Sequence, residues 1–211
     1  MLDGDVLPSG LTRMSVRASA TIVDVTTNPA AQYVSVLEAG LPALPARVTA
    51  GRPQPVAVWV GPRFGAVTVV EDCDHDPYCA EDEHYVVMTY AYQREPDGWQ
   101  LPQGSGGTDW PGGTSTNASL NARQVSFDGG RSGSSPGWVC SMVTGFAGPD
   151  ARWVQLNEGP ETTRREIAAS GAFVVVLNGE GPATVTILDR YEQVIATHDY
   201  RPRPAPLAPG E

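Results

Sequence analysis

An all-β, antiparallel sandwich, built as one large unit or two small ones, is predicted by three observations on this 211-residue chain. Strand-length apolar runs recur along the whole second half. Turn signals separate them at intervals of roughly 8–12 residues, the spacing of sandwiches and barrels. Gly 23 and Pro 19 punctuate the chain too often for long helices. At 41% hydrophobic residues the chain has enough apolar surface to build a core.

Residues 1–12 are polar, hold Pro8 and Gly10, and read as a loose arm. The first half of the sandwich is expected over 13–101. Met14 to Val25 alternates, with Val16, Ala18, Ala20 and Ile22 on one face. A phase shift at Val23 and Val25 suggests a bulge. Gln32 to Glu38 carries two competing signals. Asn28, Pro29 and Gly40 sit where a helix cap, first turn and stop would be. Val34 and Val36 are β-branched and the flanking runs are strands, so the segment is expected to be a strand.

Pro55–Val60 and Ala66–Val70 are short apolar strands around Gly61-Pro62. His84–Gln93 alternates most cleanly. Val86, Met88, Tyr90 and Tyr92 share one face, and Val87, Thr89 and Ala91 share the other. Pro96-Asp97-Gly98 turns the chain into a short strand bearing Trp99 and Leu101.

Residues 102–118 shift to Gly, Ser, Thr and Pro, with Trp110 as their one large anchor. They read as a linker or as a long loop over one end of the sandwich. The second half is expected over 119–200. Ser119–Phe127 resumes as strand, and Asp128–Gly137 reads as a flexible loop. Strand-length runs follow at Trp138–Thr144, Ala151–Leu156, Thr163–Ala168, Ala172–Leu177, Ala183–Leu188 and Val194–His198. Ala172–Leu177 is apolar on both faces and is expected at the centre. Trp59, Trp138 and Trp153 lie in apolar runs and are expected in the core. Residues 201–211 form a Pro-rich tail. Val67–Asp72 weakly echoes Val185–Arg190, in the manner of any two half-buried strands.

Residues 138–200, with their evenly spaced short strands, resemble the small Ig-like or transthyretin-like sandwich modules of many bacterial surface and accessory proteins. The Cys…Trp…Cys framework of true Ig domains is missing. The resemblance implies a fold and leaves function to the site residues.

Charge excludes some partners. All 14 basic residues are arginine and the net charge is −10. Nucleic acid is not an expected partner, because phosphate binding needs a concentrated basic patch and no arginine run supplies one. An acidic lipid surface is disfavoured on the same grounds. No apolar run reaches the ~18–20 residues that span a bilayer. The acidic start, Met1–Asp5, lacks the build of a signal peptide.

Chemistry concentrates in one segment, Glu71–His84. It holds Cys73, Cys79, His75, His84 and seven carboxylates. Four readings compete. Cys73 and Cys79 can form a disulfide that pins a hairpin tip, for about 2–3 kcal/mol, in an oxidising, extracytoplasmic compartment. Cys73, His75, Cys79 and His84 can hold zinc in the cytoplasm, although their C-x-H-x3-C-x4-H spacing is not that of a finger. Asp72, Asp74, Asp76 and Glu83 match positions 1, 3, 5 and 12 of a calcium loop, but Pro77 stands where glycine is needed. A solvated acidic turn is the fourth. No cofactor is expected, with zinc and calcium as the alternatives. Cys140, the odd cysteine, is expected as a buried thiol.

Catalytic patterns are weak. Gly133–Gly137 fits G-x-S-x-G only as text, without the strand before and helix after. Gly104–Gly107 has no strand–helix context to cradle phosphate. Glu95, Asp97 and Asp109 near Trp99 and Trp110 would suit a sugar cleft, but they are read as turn acids beside core or loop-anchoring indoles, since turns so often use Asp. His198 is alone on a strand and reads as structural.

The function expected is a non-enzymatic binding, adaptor or assembly module acting through its end loops. Trp99, Asp109 and Trp110 are binding-loop candidates beside the 72–83 tip. A protein partner or self-assembly is expected. A carbohydrate-active or metal-dependent enzyme, and a structural component of a virion or secretion particle, are the alternatives.

Overall fold

The computed structural model describes residues 29–42, 53–72, 85–100, 107–109, 120–133, 139–178 and 181–201. They form antiparallel strands in three sheets, plus one short helix, in a layered all-β arrangement. Residues 1–28, with the strand expected at Met14–Val25, and the tail from 202 onward lie outside the described residues.

The helix α1 is Pro29–Ala39. This corrects the strand expected at Gln32–Glu38. Tyr33, Val36 and Leu37 follow helical spacing and bury themselves on the first sheet. Gly40 then takes a left-handed φ of 85° and its N–H donates to Val36 O at 2.9 Å. Glycine is the residue that ends a helix this way at least cost. Local capping and burial of one face outweighed the β-branched propensity of the two valines.

The first sheet runs β1 (Gln54–Val60), β2 (Phe64–Asp72), β3 (Tyr85–Glu95) and β4 (Gly98–Gln100), with β5 (Gly107–Asp109) also on β3. The segment 102–118 therefore contributes a strand to this sheet. The alternation expected in β3 divides its two faces. Met88, Tyr90 and Tyr92 lie with Val67, Val69 and α1. Val87 and Ala91 join Phe64, Ala66, Val70 and Trp59 in the main core. On that core face Thr68 and Thr89, register partners, share a buried hydrogen bond of 3.0 Å.

Edge strand β1 is guarded by side chains. Gly61 N donates to Phe64 O, and hydrogen-bonded pairs alternate along an antiparallel ladder. Val58 and Val60 therefore point their backbone groups away from β2. Arg165 Nη2 meets Val60 O at 3.4 Å. Nearer the start of β1, a bulge between Pro55 and Ala57 changes the register, and Ser170 Oγ donates to Val56 O at 3.0 Å. Proline and a bulge are tolerated on an edge because no ladder continues beyond it.

The second sheet is β10 (Ala172–Leu177), β7 (Val139–Ala147) and β6 (Val125–Gly133). Strand β6 starts later than expected, after a turn at 121–124, and continues through Gly133 where a loop was expected from Asp128. Nine-residue pairing with β7 holds even its glycines in strand. Strand β10 is buried at every position, as its two-sided apolar sequence predicts, but it is the end strand of its sheet and not the central strand expected, its burial coming from neighbouring sheets. It packs against β1 and β2 and also touches β8.

The third sheet is β12 (Val194–Tyr200), β11 (Ala183–Asp189), β8 (Ala151–Glu158) and β9 (Glu161–Glu166). It meets the second sheet through Tyr200 Oη and Ser141 Oγ at 2.8 Å and through Phe127 stacked on His198 at 5.1 Å. His198 thus packs on the second sheet through Phe127. Phe127 and Phe173 lie on either side of Gly145 in register and touch edge to face at 5.6 Å. A β-carbon on Gly145 would lie 2.5 Å from Phe173, so the glycine makes room for the ring. Cys140 is a buried thiol. One continuous apolar core includes residues of all three sheets.

Candidate functional site

The site builds from Asp189, the last residue of β11. Its Oδ1 accepts N–H bonds from Tyr191 at 2.8 Å and Gln193 at 2.9 Å. Its Oδ2 meets Arg123 Nη1 at 3.3 Å. Burial alone would raise its pKa. The N–H donors of Gln193 and Tyr191 and the guanidinium of Arg123 outweigh burial and hold it below the usual carboxylate range. The carboxylate is thus the internal anchor of the β11–β12 hairpin.

Two backbone bonds close the same turn, Asp189 N to Gln193 O at 2.9 Å and Glu192 N to Asp189 O at 3.1 Å. Glu192 adopts a φ of 64°, which a residue with a side chain rarely takes. Arg164 of β9 meets its carboxylate at 3.0 Å and helps hold it there. The guanidinium of Arg164 also lies 4.7 Å from the Trp153 ring. Trp153 is therefore half-buried on the outer face of β8 with arginine against it, correcting its expected place in the core. Neighbouring Val154 and Leu156 fill the inner positions.

A second set of bonds fixes Arg123. Its turn is joined to the β7–β8 turn by Gly148 N to Gln124 O at 2.8 Å and Asp150 N to Ala122 O at 3.0 Å. Arg123 Nη2 also reaches Val194 O at 3.4 Å. Three turns thereby frame an open cleft of about 600 Å³ at one end of the layers. Arg123, Arg152, Arg190, Asp150 and Tyr191 line it beside Asp189. Arg152 pairs with Glu166 at 2.6 Å, both half-exposed. Arg190 lies over the Tyr191 ring at 4.7 Å and makes no ion pair among the described residues. Tyr191 in the lining is 67% exposed and nearby Val194 58%, and no other large hydrophobic is exposed among the described residues.

The local sequence does not mark this cleft. Arginines 123, 152 and 190 are far apart in the chain, and only tertiary pairing gathers them. Asp189-Arg190-Tyr191-Glu192 falls between two expected strands, and nothing in its local sequence marks one end of a cleft.

The residues singled out from the sequence are differently placed. Asp72 ends β2 opposite Tyr85, and Cys73, Asp74, His75, Asp76, Cys79, Glu83 and His84 lie outside the described residues. Among the described residues no three His, Cys, Asp or Glu side chains gather as a metal site needs. Trp99, on β4, is half-buried in the cluster beneath α1, with Arg94 4.9 Å from its ring. Asp109 is the β5 residue opposite Val86, and Trp110 lies outside the described residues. No described helix is long and apolar enough to cross a membrane. No family model, curated protein or solved structure matches the chain.

Proposed function

We propose that the protein is a non-catalytic binding or adaptor module that engages a protein partner through the end of the sandwich bearing the β11–β12 hairpin. The observation that supports this is the position of Tyr191 and Val194. Both are exposed; Tyr191 lines the arginine-lined cleft, and Val194 follows Gln193 of its lining, with its carbonyl on Arg123. Tyrosine and arginine are the side chains most enriched where protein partners bind, and a buried aromatic anchor there carries much of the affinity. The hairpin is already ordered by Asp189 and by Arg164, so binding loses little further conformational freedom. A cleft of this size takes a few residues of a partner chain.

Residues 73–84 join strands β2 and β3, and a cross-link there would pin the connection. A Cys73–Cys79 disulfide belongs with an extracytoplasmic module, and zinc on the same cysteines with a cytoplasmic one.

The test compares wild-type protein with a Tyr191→Ala/Val194→Ser variant as baits in extract of the source cells. A partner retained by wild type and lost from the variant is the expected result. The same partners at the same yield on both baits would overturn the assignment to this end. Thermal melts of the two baits establish that the variant is folded.

A further inference from the structure

We infer that the segment received by this cleft is acidic, presenting an Asp or Glu carboxylate to Arg190. The inference rests on the binding reading above and adds the chemical class of the ligand. The charges of the cleft are not equivalent. Arg123 is held by Asp189 and Val194 O, and so serves the fold. Arg152 is shared with Glu166 across the surface. Arg190 has only the π-face of Tyr191, which leaves its fork of donors without an anionic acceptor among the described residues. A carboxylate fits that fork in bidentate fashion, and the stacked Tyr191 ring holds the guanidinium plane in place.

Arg123 is offset by Asp189 and Arg152 by Glu166, so Arg190 is the lining guanidinium without an ion-pair partner among the described residues. Asp189 is already neutralised by its N–H donors and Arg123. Asp150, exposed on the β7–β8 side, repels a ligand carboxylate from that wall and so directs it toward Arg190. A chain of net charge −10 disfavours an acidic ligand in general, so such a ligand depends on the local contact with Arg190.

The experiment is selection of random peptides displayed on phage against the immobilised full chain, repeated on Arg190→Glu, Arg190→Lys and Tyr191→Ala. Arg190 is exposed and makes no ion pair among the described residues, so these variants should melt with wild type. The expected result is enrichment of Asp- and Glu-containing peptides. Their binding should weaken about tenfold or more on Arg190→Glu, return in part on Arg190→Lys, and fall with added salt. Peptides that depend on Tyr191 but carry no excess of acid, or that bind Arg190→Glu equally well, would overturn the acidic ligand and leave the binding end standing. Absence of any enrichment sensitive to Tyr191 or Arg190 would overturn both.

Discussion

Arg123 and Asp189 stand 66 residues apart in the chain and meet at 3.3 Å at the end of the sandwich. The pair ties the turn before β6 to the β11–β12 hairpin. The folded state binds the Asp189 proton more weakly than the unfolded chain does, because its pKa is lowered on folding. Such a group stabilises the fold above its unfolded pKa, near 4, and that contribution is lost as pH falls through the lowered folded value. Wild type should therefore melt above Asp189→Asn at neutral pH, and the two curves should converge in acid. Thermal melts across pH 2 to 7 check this, in units where about pH 4 marks the onset of convergence.

Ser170 should be a costly alanine. Its hydroxyl donates to Val56 O at 3.0 Å and accepts from Ala172 N at 3.2 Å, and the residue is 1% exposed. Ser170→Ala leaves both backbone groups without that partner, at a cost of about 1–3 kcal/mol for a buried group. Urea denaturation followed by tryptophan fluorescence measures the loss.

Gly145→Ala should be worse than the usual small-to-large change. The new β-carbon would lie 2.1 Å from Ser126 O and 2.5 Å from the Phe173 ring. The cost is expected near the top of the range for overpacking, about 3 kcal/mol. Adding Phe173→Leu should not restore stability, because the closer clash is with backbone. Recovery of full stability in the double variant would contradict the geometry.

Thr68 and Thr89 should behave as a coupled pair. Either single valine leaves one buried hydroxyl unsatisfied, at about 1–3 kcal/mol, whereas the double valine removes both polar groups. A double-mutant cycle should show a smaller total loss than the sum of the singles. Additive losses would mean that the 3.0 Å contact contributes nothing.

Cys73 and Cys79 offer a direct chemical test. If they form the disulfide, reduction adds two hydrogens to the intact mass and the native protein carries no stoichiometric zinc. Zinc bound through both thiolates excludes that bond. Intact mass spectrometry with metal analysis decides between them.

Much of the sheet structure was legible in the chain. The alternation of Val86 to Tyr92 assigns its faces, because side chains in a strand must point to opposite sides. The unbroken apolar run Ala172–Leu177 predicts burial on both sides, and β10, at the end of its own sheet, is covered by β1, β2 and β8 of the other two. Periodicity misled at Gln32–Glu38, where four apolar residues in a short window fit either period and the Gly40 stop decided for helix. Composition misled at Asp128–Gly133, where pairing to β7 holds a glycine-rich segment extended.

The sequence by itself determined the all-β class, the two-sided burial of Ala172–Leu177, the buried place of Cys140 and the turns that separate the strands. These depend on residue type and short-range order, which a linear chain displays. Tertiary structure alone decided the candidate site. Arg123, Arg152 and Arg190 share no local pattern, and Asp189 acquires its anchoring role only when the ends of separate sheets are brought together. Charge pairing across such distances is set by strand register, and register is fixed by which faces the core buries.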